Sequence, residues 1–481
     1  VISSYEMAKI LKKQKGIFKV NSQIPILDRY LEGFALGELI TISGLTKNGK
    51  CHGEGTKILM FDGTIKNVED IVIGDNLMGD DSTPRHVIST TVGEGKLFEI
   101  SAKGSIPFTC NEEHILCLVR TRTAKTKRGK PYLNFFDNKI IEIPLSEYLK
   151  SSNFKKHILK SYKVPVDFPY KKVNIDPYLL GVWLGDGSSH GPEITTADQE
   201  IVDYINGYAS RERFYVTIKD QPNNKSKIYR ICDDQNGRKG SVLRNRFKEL
   251  LKEYNLLKNK HIPHIYKINS KAIRMKMLAG LIDTDGNTVP SGTLGNAIEI
   301  IQKNQRLAND IVFLARSLGF ATTIHKVIKK IKKINFEGEY YRIRLNGDTG
   351  KIPCLLKRKL FKAYTCKKKV LRSAFTVKAI GSGKYYGFTL DGNGRYLLSD
   401  FQVTHNTLMS QSLTKNFLQQ QMCSLWFTYE LPPRQFLSCF PDLPLLYMPK
   451  QLKAADMHWI EDRIIESKKK YNTRIVFIDH L

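Results

Sequence analysis

Residues 42–51 read ISGLTKNGKC, and residues 403–413, more than 350 positions later, read VTHNTLMSQSL. The first stretch follows a β-type segment, Leu39 to Ile42, and fills a phosphate-loop pattern, G-x-x-x-x-G-K-[ST], from Gly44 through Gly49 and Lys50. Its last position is wrong: Cys51 stands where Ser or Thr binds Mg²⁺. The missing hydroxyl is Thr407, which opens a segment with apolar residues at helical spacing, as the helix after a phosphate loop requires. Joining Lys50 to Thr407 gives GLTKNGKT followed by LMSQSL, a complete strand, loop and helix. The chain therefore reads as a host split by an insertion of 356 residues, 51–406.

Charge divides along the same lines. Of 76 Lys and Arg and 47 Asp and Glu, 59 and 36 lie between positions 51 and 406, so the insertion carries +23 of the net +29. Such a balance points to a polyanionic partner such as nucleic acid or a membrane surface. With 481 residues, 41% hydrophobic and 26% charged, several domains are expected, and a disulfide-stapled miniprotein is excluded. Apolar runs fall well short of the ~20 residues that cross a bilayer, so no membrane partner is expected. The eight cysteines form no C-x-x-C pair, which fits a reducing, intracellular setting, cytoplasmic or that of a viral protein in an infected cell. Beginning at Val1 and ending at Leu481 after a strand-like run, the sequence reads as part of a longer protein.

The insertion begins with Cys51, ends with His405 and Asn406, and is followed by Thr407. A thiol can attack its own preceding carbonyl and convert an amide to a thioester, and a hydroxyl can then take the acyl group. Asparagine can cyclise through its side-chain nitrogen and cut the chain, with a neighbouring imidazole moving the proton. These ends resemble those of an intein, the self-splicing insertion family, and no cofactor is needed for that chemistry. The stretch FTCNEEHILCL (108–118) resembles the block that supplies a histidine to the first scissile amide. By that resemblance His114 takes the role and Asn111 stands in the usual Thr position. Glu113 stands where the vacuolar-ATPase inteins have Thr. Arg395 departs from the pattern, since many inteins carry histidine there, and this puts more of the asparagine chemistry on His405. Turns are expected at Asp62-Gly63 and at Asp391 to Gly394, each as a hairpin signal.

Within the insertion, LLGVWLGDG (179–187) and LAGLIDTDG (278–286) align position for position, with Asp186 and Asp285 eighth in each. Gly181 and Gly280 would let two helices approach closely, each ending in a carboxylate at a shared Mg²⁺ site. The second copy resembles the motif that names the LAGLIDADG homing endonucleases. That resemblance implies a monomer of two pseudo-symmetric αββαββα-like halves. It also implies a catalytic role for Lys260, from its place before the second motif, and makes Lys359 a further candidate. The basic run RTRTAKTKRGK (120–130) resembles a DNA-recognition arm.

The flanks add two apolar strands, SLWFTYE (424–430) ending in Glu430 and RIVFID (474–479) ending in Asp479. Lys50 would contact nucleotide phosphates, Thr407 and Asp479 the Mg²⁺, and Glu430 the attacking water. Together with IPILDRYLEGFALGELITISG (24–44) they resemble DnaB-type helicases of the RecA-like class, which implies ATP and Mg²⁺ as cofactors and a homo-oligomer on DNA after splicing.

The expected organisation is multidomain: host ATPase over 1–50 and 407–481, a β-rich Hedgehog/intein (HINT) splicing domain over 51–165 and 371–406, and an α+β endonuclease over 166–370. The flanks are an α/β phosphate-loop ATPase. Alternatives are a recombinase-type host carrying the same intein, a permanent nuclease insertion that never splices, and a free-standing endonuclease.

Overall fold

The computed structural model describes residues 19–21, 34–35, 51–121, 139–222, 224–233, 245–290, 296–331, 336–359, 369–405, 417–428, 437, 445–450 and 456–479. Around the ends of the insertion the chain is almost entirely β. The strand Pro84–Ala102 pairs antiparallel with Phe375–Leu390, from Ala102 opposite Phe375 to Val87 opposite Leu390. Only the ends of this ribbon enter the core. Where Gly93 faces Tyr385, any Cβ would lie 2.3 Å from the ring, so glycine lets the tyrosine fold across the ribbon. The short strand His52–Gly53 bridges Tyr385 and Tyr386 on one side and Cys110 on the other.

A second sheet is built on Ile115–Arg120, which pairs with Ile140–Pro144, Leu159–Tyr162 and His405. His405 belongs to the strand Val403–His405, whose other neighbour is Arg395–Leu397. Because Phe108–Asn111 and Ile115–Arg120 are consecutive, the strands flanking Cys51 and His405 meet across one tight connection. Apolar side chains of both sheets close over this region in one buried cluster that includes Ile58, Ile100, Leu116, Phe388 and Leu398.

The two turn signals have different outcomes. Asp62-Gly63 joins the antiparallel strands Lys57–Leu59 and Ile65–Asn67, with Gly63 at φ +79° and the Thr64 amide donating to Asp62 Oδ1 at 2.8 Å. Asp391 to Gly394 is a turn but not a hairpin, because the strands it joins enter different sheets. Its polar residues are held elsewhere: Asp391 Oδ1 accepts from the His86 amide at 2.7 Å, and Asn393 Oδ1 accepts from Arg85 Nε at 3.1 Å. Those contacts anchor the turn to the long ribbon and direct the chain into the second sheet.

The middle of the insertion contains two similar halves. The first runs through helix Pro177–Asp186, strand Glu193–Thr196, helix Gln199–Glu212, strands Tyr215–Asp220 and Lys227–Cys232, and helix Arg246–Glu253. The second runs through helix Lys271–Asp285, strands Gly286–Pro290 and Asn296–Gln302, helix Gln305–Ser317, and strands Ala321–Ile331 and Phe336–Asn346. Among the described residues its sheet has four strands and that of the first half three, with a single bridge, Gly187 to Ile194, in place of the fourth. One continuous core spans both halves. Its centre is the pair of motif helices, where a Cβ on Gly181 would lie 2.4 Å from Met277 O and one on Gly280 2.2 Å from Tyr178 O. Only glycine admits that approach.

The two modules are joined by polar and aromatic contacts. The Asp167 amide donates to Ser82 Oγ at 2.9 Å, His264 Nε2 lies 2.9 Å from Asp62 O, and the ring of Phe313 stands edge-on to that of Phe401 with centroids 5.3 Å apart. In the flanks, Ser424–Thr428 and Ile475–Asp479 form a parallel pair connected through helix Met457–Tyr471, the local pattern of an α/β domain.

Candidate functional site

Two centres emerge, one at the ends of the insertion and one at the ends of the motif helices. At the first, Asn111 holds both main-chain polar groups of Cys51. The Cys51 amide donates to Asn111 Oδ1 at 3.1 Å, and the Asn111 amide donates to Cys51 O at 3.1 Å. That Cys51 nitrogen belongs to the Lys50–Cys51 bond, so the residue in the usual Thr position touches the expected scissile amide itself. The Cys51 side chain is fully enclosed by neighbours including Leu97 and Tyr385, and burial pushes its thiol up to about 12. At rest it is a neutral thiol.

His114 is wholly buried, its amide donating to Asn111 O at 3.3 Å, its Nε2 2.7 Å from Thr404 Oγ1 and its ring centroid 4.5 Å from that of His52. His52 in turn sets Nε2 2.7 Å from the Tyr396 hydroxyl. Residues next to the first junction thus meet residues next to the second.

At the second junction, His405 Nε2 is 3.6 Å from Glu142 Oε2. Arg395, directly opposite His405 across the strand pair, binds the other oxygen of the same carboxylate at 2.6 Å. Burial opposes the charge on Arg395, but Glu142 outweighs it and holds the guanidinium firmly protonated. Arg395 therefore cannot exchange protons as a histidine would; it orients the carboxylate that faces His405.

The second centre lies where the motif helices end. Asp186 sits exposed at its mouth, yet partial desolvation and then the nearby Asp285 push its carboxyl up to about 6. Burial also raises Asp285, against a hydrogen bond donated by Gln302 Nε2. Lys260 Nζ donates to Gly187 O at 2.7 Å, Leu184 O at 3.0 Å and Gly185 O at 3.3 Å, closing the end of the first motif helix. Lys359 Nζ donates to Gly286 O at the end of the second. The lysines are 99 residues apart, as are the glycines they bind, so Lys359 is the counterpart of Lys260. Burial lowers Lys260 to about 8, although both aspartates oppose the shift. Asp285 adds to the cost of ionising Asp186, and burial to that of Asp285, the chemistry of a donor set suited to a divalent cation. Among the described residues, no group of three or more His, Cys, Asp or Glu forms a metal cage, so further ligands would be oxygens of the substrate or water.

Gly44, Gly49, Lys50, Asn406, Thr407 and Glu430 lie outside the described residues, as does 122–130 of the basic run. Asp479 ends its strand opposite Thr428, with its side chain outside the description. Sequence reading missed Glu142, His52, Tyr396, Thr404 and Gln302. The one local signal among them is Glu142, a lone acid inside the apolar run IIEIP.

Comparison with known proteins matches both centres. The family described as Hom_end-associated Hint covers residues 51–134, and a LAGLIDADG-like domain covers 272–351. The chain is 26% identical over 408 residues to the replicative DNA helicase DnaB of Mycobacterium intracellulare, covering 81% of this chain and 63% of that protein. It is 22% identical over 499 residues to the catalytic subunit of the V-type proton ATPase of Candida tropicalis, covering 79% and 45%. It is 25% identical over 248 residues to the homothallic switching endonuclease of Saccharomyces cerevisiae, covering 46% and 42%. The chain thus spans less than two thirds of the length of each of these relatives. Fold and centres define a Hint-type domain interrupted by a LAGLIDADG endonuclease domain. The chain carries a Hint-family segment and a LAGLIDADG-like domain, and in this it resembles an endonuclease-bearing intein set in a DnaB-like host.

Proposed function

We propose that residues 51–406 excise themselves and join Lys50 to Thr407, and that the excised piece cuts double-stranded DNA. The observation that carries the splicing reading is the hydrogen bond from the Cys51 amide to Asn111 Oδ1, at 3.1 Å, with the His114 amide donating in turn to Asn111 O at 3.3 Å. Cys51 Sγ attacks the Lys50 carbonyl carbon, the bond from that carbon to Cys51 N breaks, and the freed amine takes a proton with His114 assisting. Asn111 keeps the leaving nitrogen in place during this step. Thr407 Oγ then attacks the thioester and releases the Cys51 thiol. Asn406 Nδ2 attacks its own carbonyl, which breaks the bond to Thr407 and leaves a succinimide, with His405 moving the proton. The ester at Thr407 rearranges to an amide through its free amine.

For DNA, Asp186 and Asp285 would hold Mg²⁺, which when bound supplies charge neutralisation at the phosphodiester. Lys260 and Lys359 fix the motif-helix ends and keep positive charge beside the carboxylates. The target is the uninterrupted host gene, spanning the joined codons for Lys50 and Thr407. The basic surface would bind phosphates, with affinity falling steeply with salt. Domain limits at 51–165, 166–370 and 371–406 fit this division of labour.

After ligation the host is an ATP-dependent helicase acting as a homo-oligomer on DNA. Gly44, Gly49, Lys50 and Thr407 form its nucleotide loop, Asp479 and Thr407 hold Mg²⁺, and Glu430 polarises water. No helix among the described residues is long and apolar enough to cross a membrane, and a cytoplasmic place is proposed.

The test uses two variants and two DNAs. Cys51→Ala is expected to stop ligation while permitting cleavage after Asn406, and Asn406→Ala to stop release of the insertion. The excised piece is expected to make a Mg²⁺-dependent double-strand cut in junction DNA but none in DNA interrupted by the insertion. Ligation in either variant, or cutting that ignores the junction, would sink the proposal.

A further inference from the structure

The polar groups around His114 form a directed chain that runs through four side chains from both ends of the insertion. Its starting point is a main-chain carbonyl. His52 Nδ1 lies 3.3 Å from Thr109 O, and a carbonyl oxygen only accepts, so His52 carries its proton on Nδ1. Burial holds His52 down to about 4, so its ring is neutral at ordinary pH and Nε2 keeps a lone pair. The Tyr396 hydroxyl, 2.7 Å away, must donate its single hydrogen to that lone pair. Thr404 stands directly opposite Tyr396 in the antiparallel strand pair, and because the Tyr396 hydrogen is already used, the Thr404 hydroxyl can only donate toward the Tyr396 oxygen. Thr404 Oγ1 has then spent its hydrogen and accepts from its other neighbour, His114 Nε2, at 2.7 Å. His52, Thr404 and Tyr396 are buried to 2% exposure or less, and His114 to 0%, so water does not scramble these directions.

We infer that Tyr396 and Thr404 are positioning residues that fix His114 as the Nε2–H tautomer, leaving Nδ1 as the nitrogen available for proton traffic at the first splice junction. Which ring nitrogen carries the proton is set by the bond the other nitrogen makes. The chain also gives a physical link between junctions: Thr404 is two residues before the asparagine that cyclises, and displacing it during the second cleavage would release the constraint on His114. The inference rests on the splicing proposal for its consequence, but the tautomer itself does not.

Two measurements on the full chain test it. In a Cys51→Ala, Asn406→Ala chain with ¹⁵N-labelled histidine rings, the His114 nitrogen shifts are expected to report an Nε2–H, unprotonated Nδ1 ring. Tyr396→Phe and Thr404→Val are expected to give a tautomer mixture. In the Asn406→Ala background, the same two changes are expected to slow thiol-induced cleavage before Cys51 by about tenfold or more, short of a full acid–base contribution. Thr404→Ser, which keeps the hydroxyl, is expected to restore both readouts relative to Thr404→Val, a rescue that mere packing would not produce. His114 found as Nδ1–H, or tautomer and rate unchanged in both Tyr396→Phe and Thr404→Val, would overturn the inference. Should Tyr396→Phe fail to fold, the Thr404 pair decides alone. A wild-type chain that shows the expected tautomer yet never splices would refute the splicing proposal and leave the tautomer assignment standing.

Discussion

The two centres of the insertion use opposite electrostatic strategies. Around Cys51 the groups are neutral and sealed: a thiol pushed up to about 12, a His52 held near 4, and hydroxyls that pass hydrogen bonds between strands. Around Asp186 the groups are ionisable and open: two carboxylates raised by burial and by their closeness, and two lysines pinned to helix ends. The difference follows from what each must act on. A chain that cuts its own backbone has the substrate built in and must keep the nucleophile quiet until the geometry is right. A centre that acts on an external polyanion must hold unfavourable negative charge in readiness for a cation. Intramolecular chemistry can be buried, whereas chemistry on DNA requires a mouth.

Separation of the centres is tested most severely at the carboxylates. Asp186→Asn or Asp285→Asn is expected to lower DNA cutting on the order of 10³-fold, with splicing unchanged. Asp186→Asn is also expected to raise the melting temperature of the insertion, because a neutral amide removes a charge that desolvation and then the nearby Asp285 make costly. Calorimetry alongside a cleavage assay checks both, and a drop in stability would remove the stored-charge interpretation.

At the sealed centre, Asn111→Ala removes the acceptor of the Cys51 amide and is expected to slow thioester formation about a hundredfold. Trapping with hydroxylamine measures this, and a rate within about twofold of wild type would show that the contact is only structural.

The pH dependence sharpens the contrast. Ionisation of Cys51 lies above its ordinary value, so the thiolate fraction grows with pH up to about 12 rather than levelling near 9. In an Asn406→Ala chain, thioester formation is expected to rise by up to about tenfold per pH unit between about pH 7 and 9. A plateau beginning below about pH 8 would contradict the sealed thiol.

The smallest effect belongs to Glu142. Glu142→Gln leaves the shape but removes the charge facing His405 at 3.6 Å. Cleavage after Asn406 is expected to slow by about threefold to tenfold, with cleavage before Cys51 untouched, as gel densitometry of the two products reads directly.

What could be read from sequence and what could not divides on physical grounds. The motif helices were legible because glycine spacing and terminal aspartates are local, whereas Lys260 and Lys359 came from family resemblance, and their shared 99-residue offset gained meaning only when the fold set each on the end of its motif helix. Asn111 and His114 were legible as part of one short block. Glu142, Tyr396 and Thr404 were not, since each acts on a residue reached only by strand pairing. Tyr396 meets His52 across 344 positions, and Thr404 meets His114 across 290. The turn at Asp391 to Gly394 shows the same limit: its residues announce a reversal, but contacts from Arg85 and His86 decide which sheet follows. Local chemistry is written locally, and register is not.

The most direct measurement of the central claim is the intact mass of the products when the unaltered chain is expressed. The account requires two species, an excised piece from Cys51 to Asn406 ending in succinimide or its hydrolysis product, and a ligated piece joining Lys50 to Thr407 through an ordinary peptide bond. A single stable species of full-length mass, under conditions where the insertion is folded and cuts junction DNA, would contradict it and leave a nuclease permanently lodged in its host.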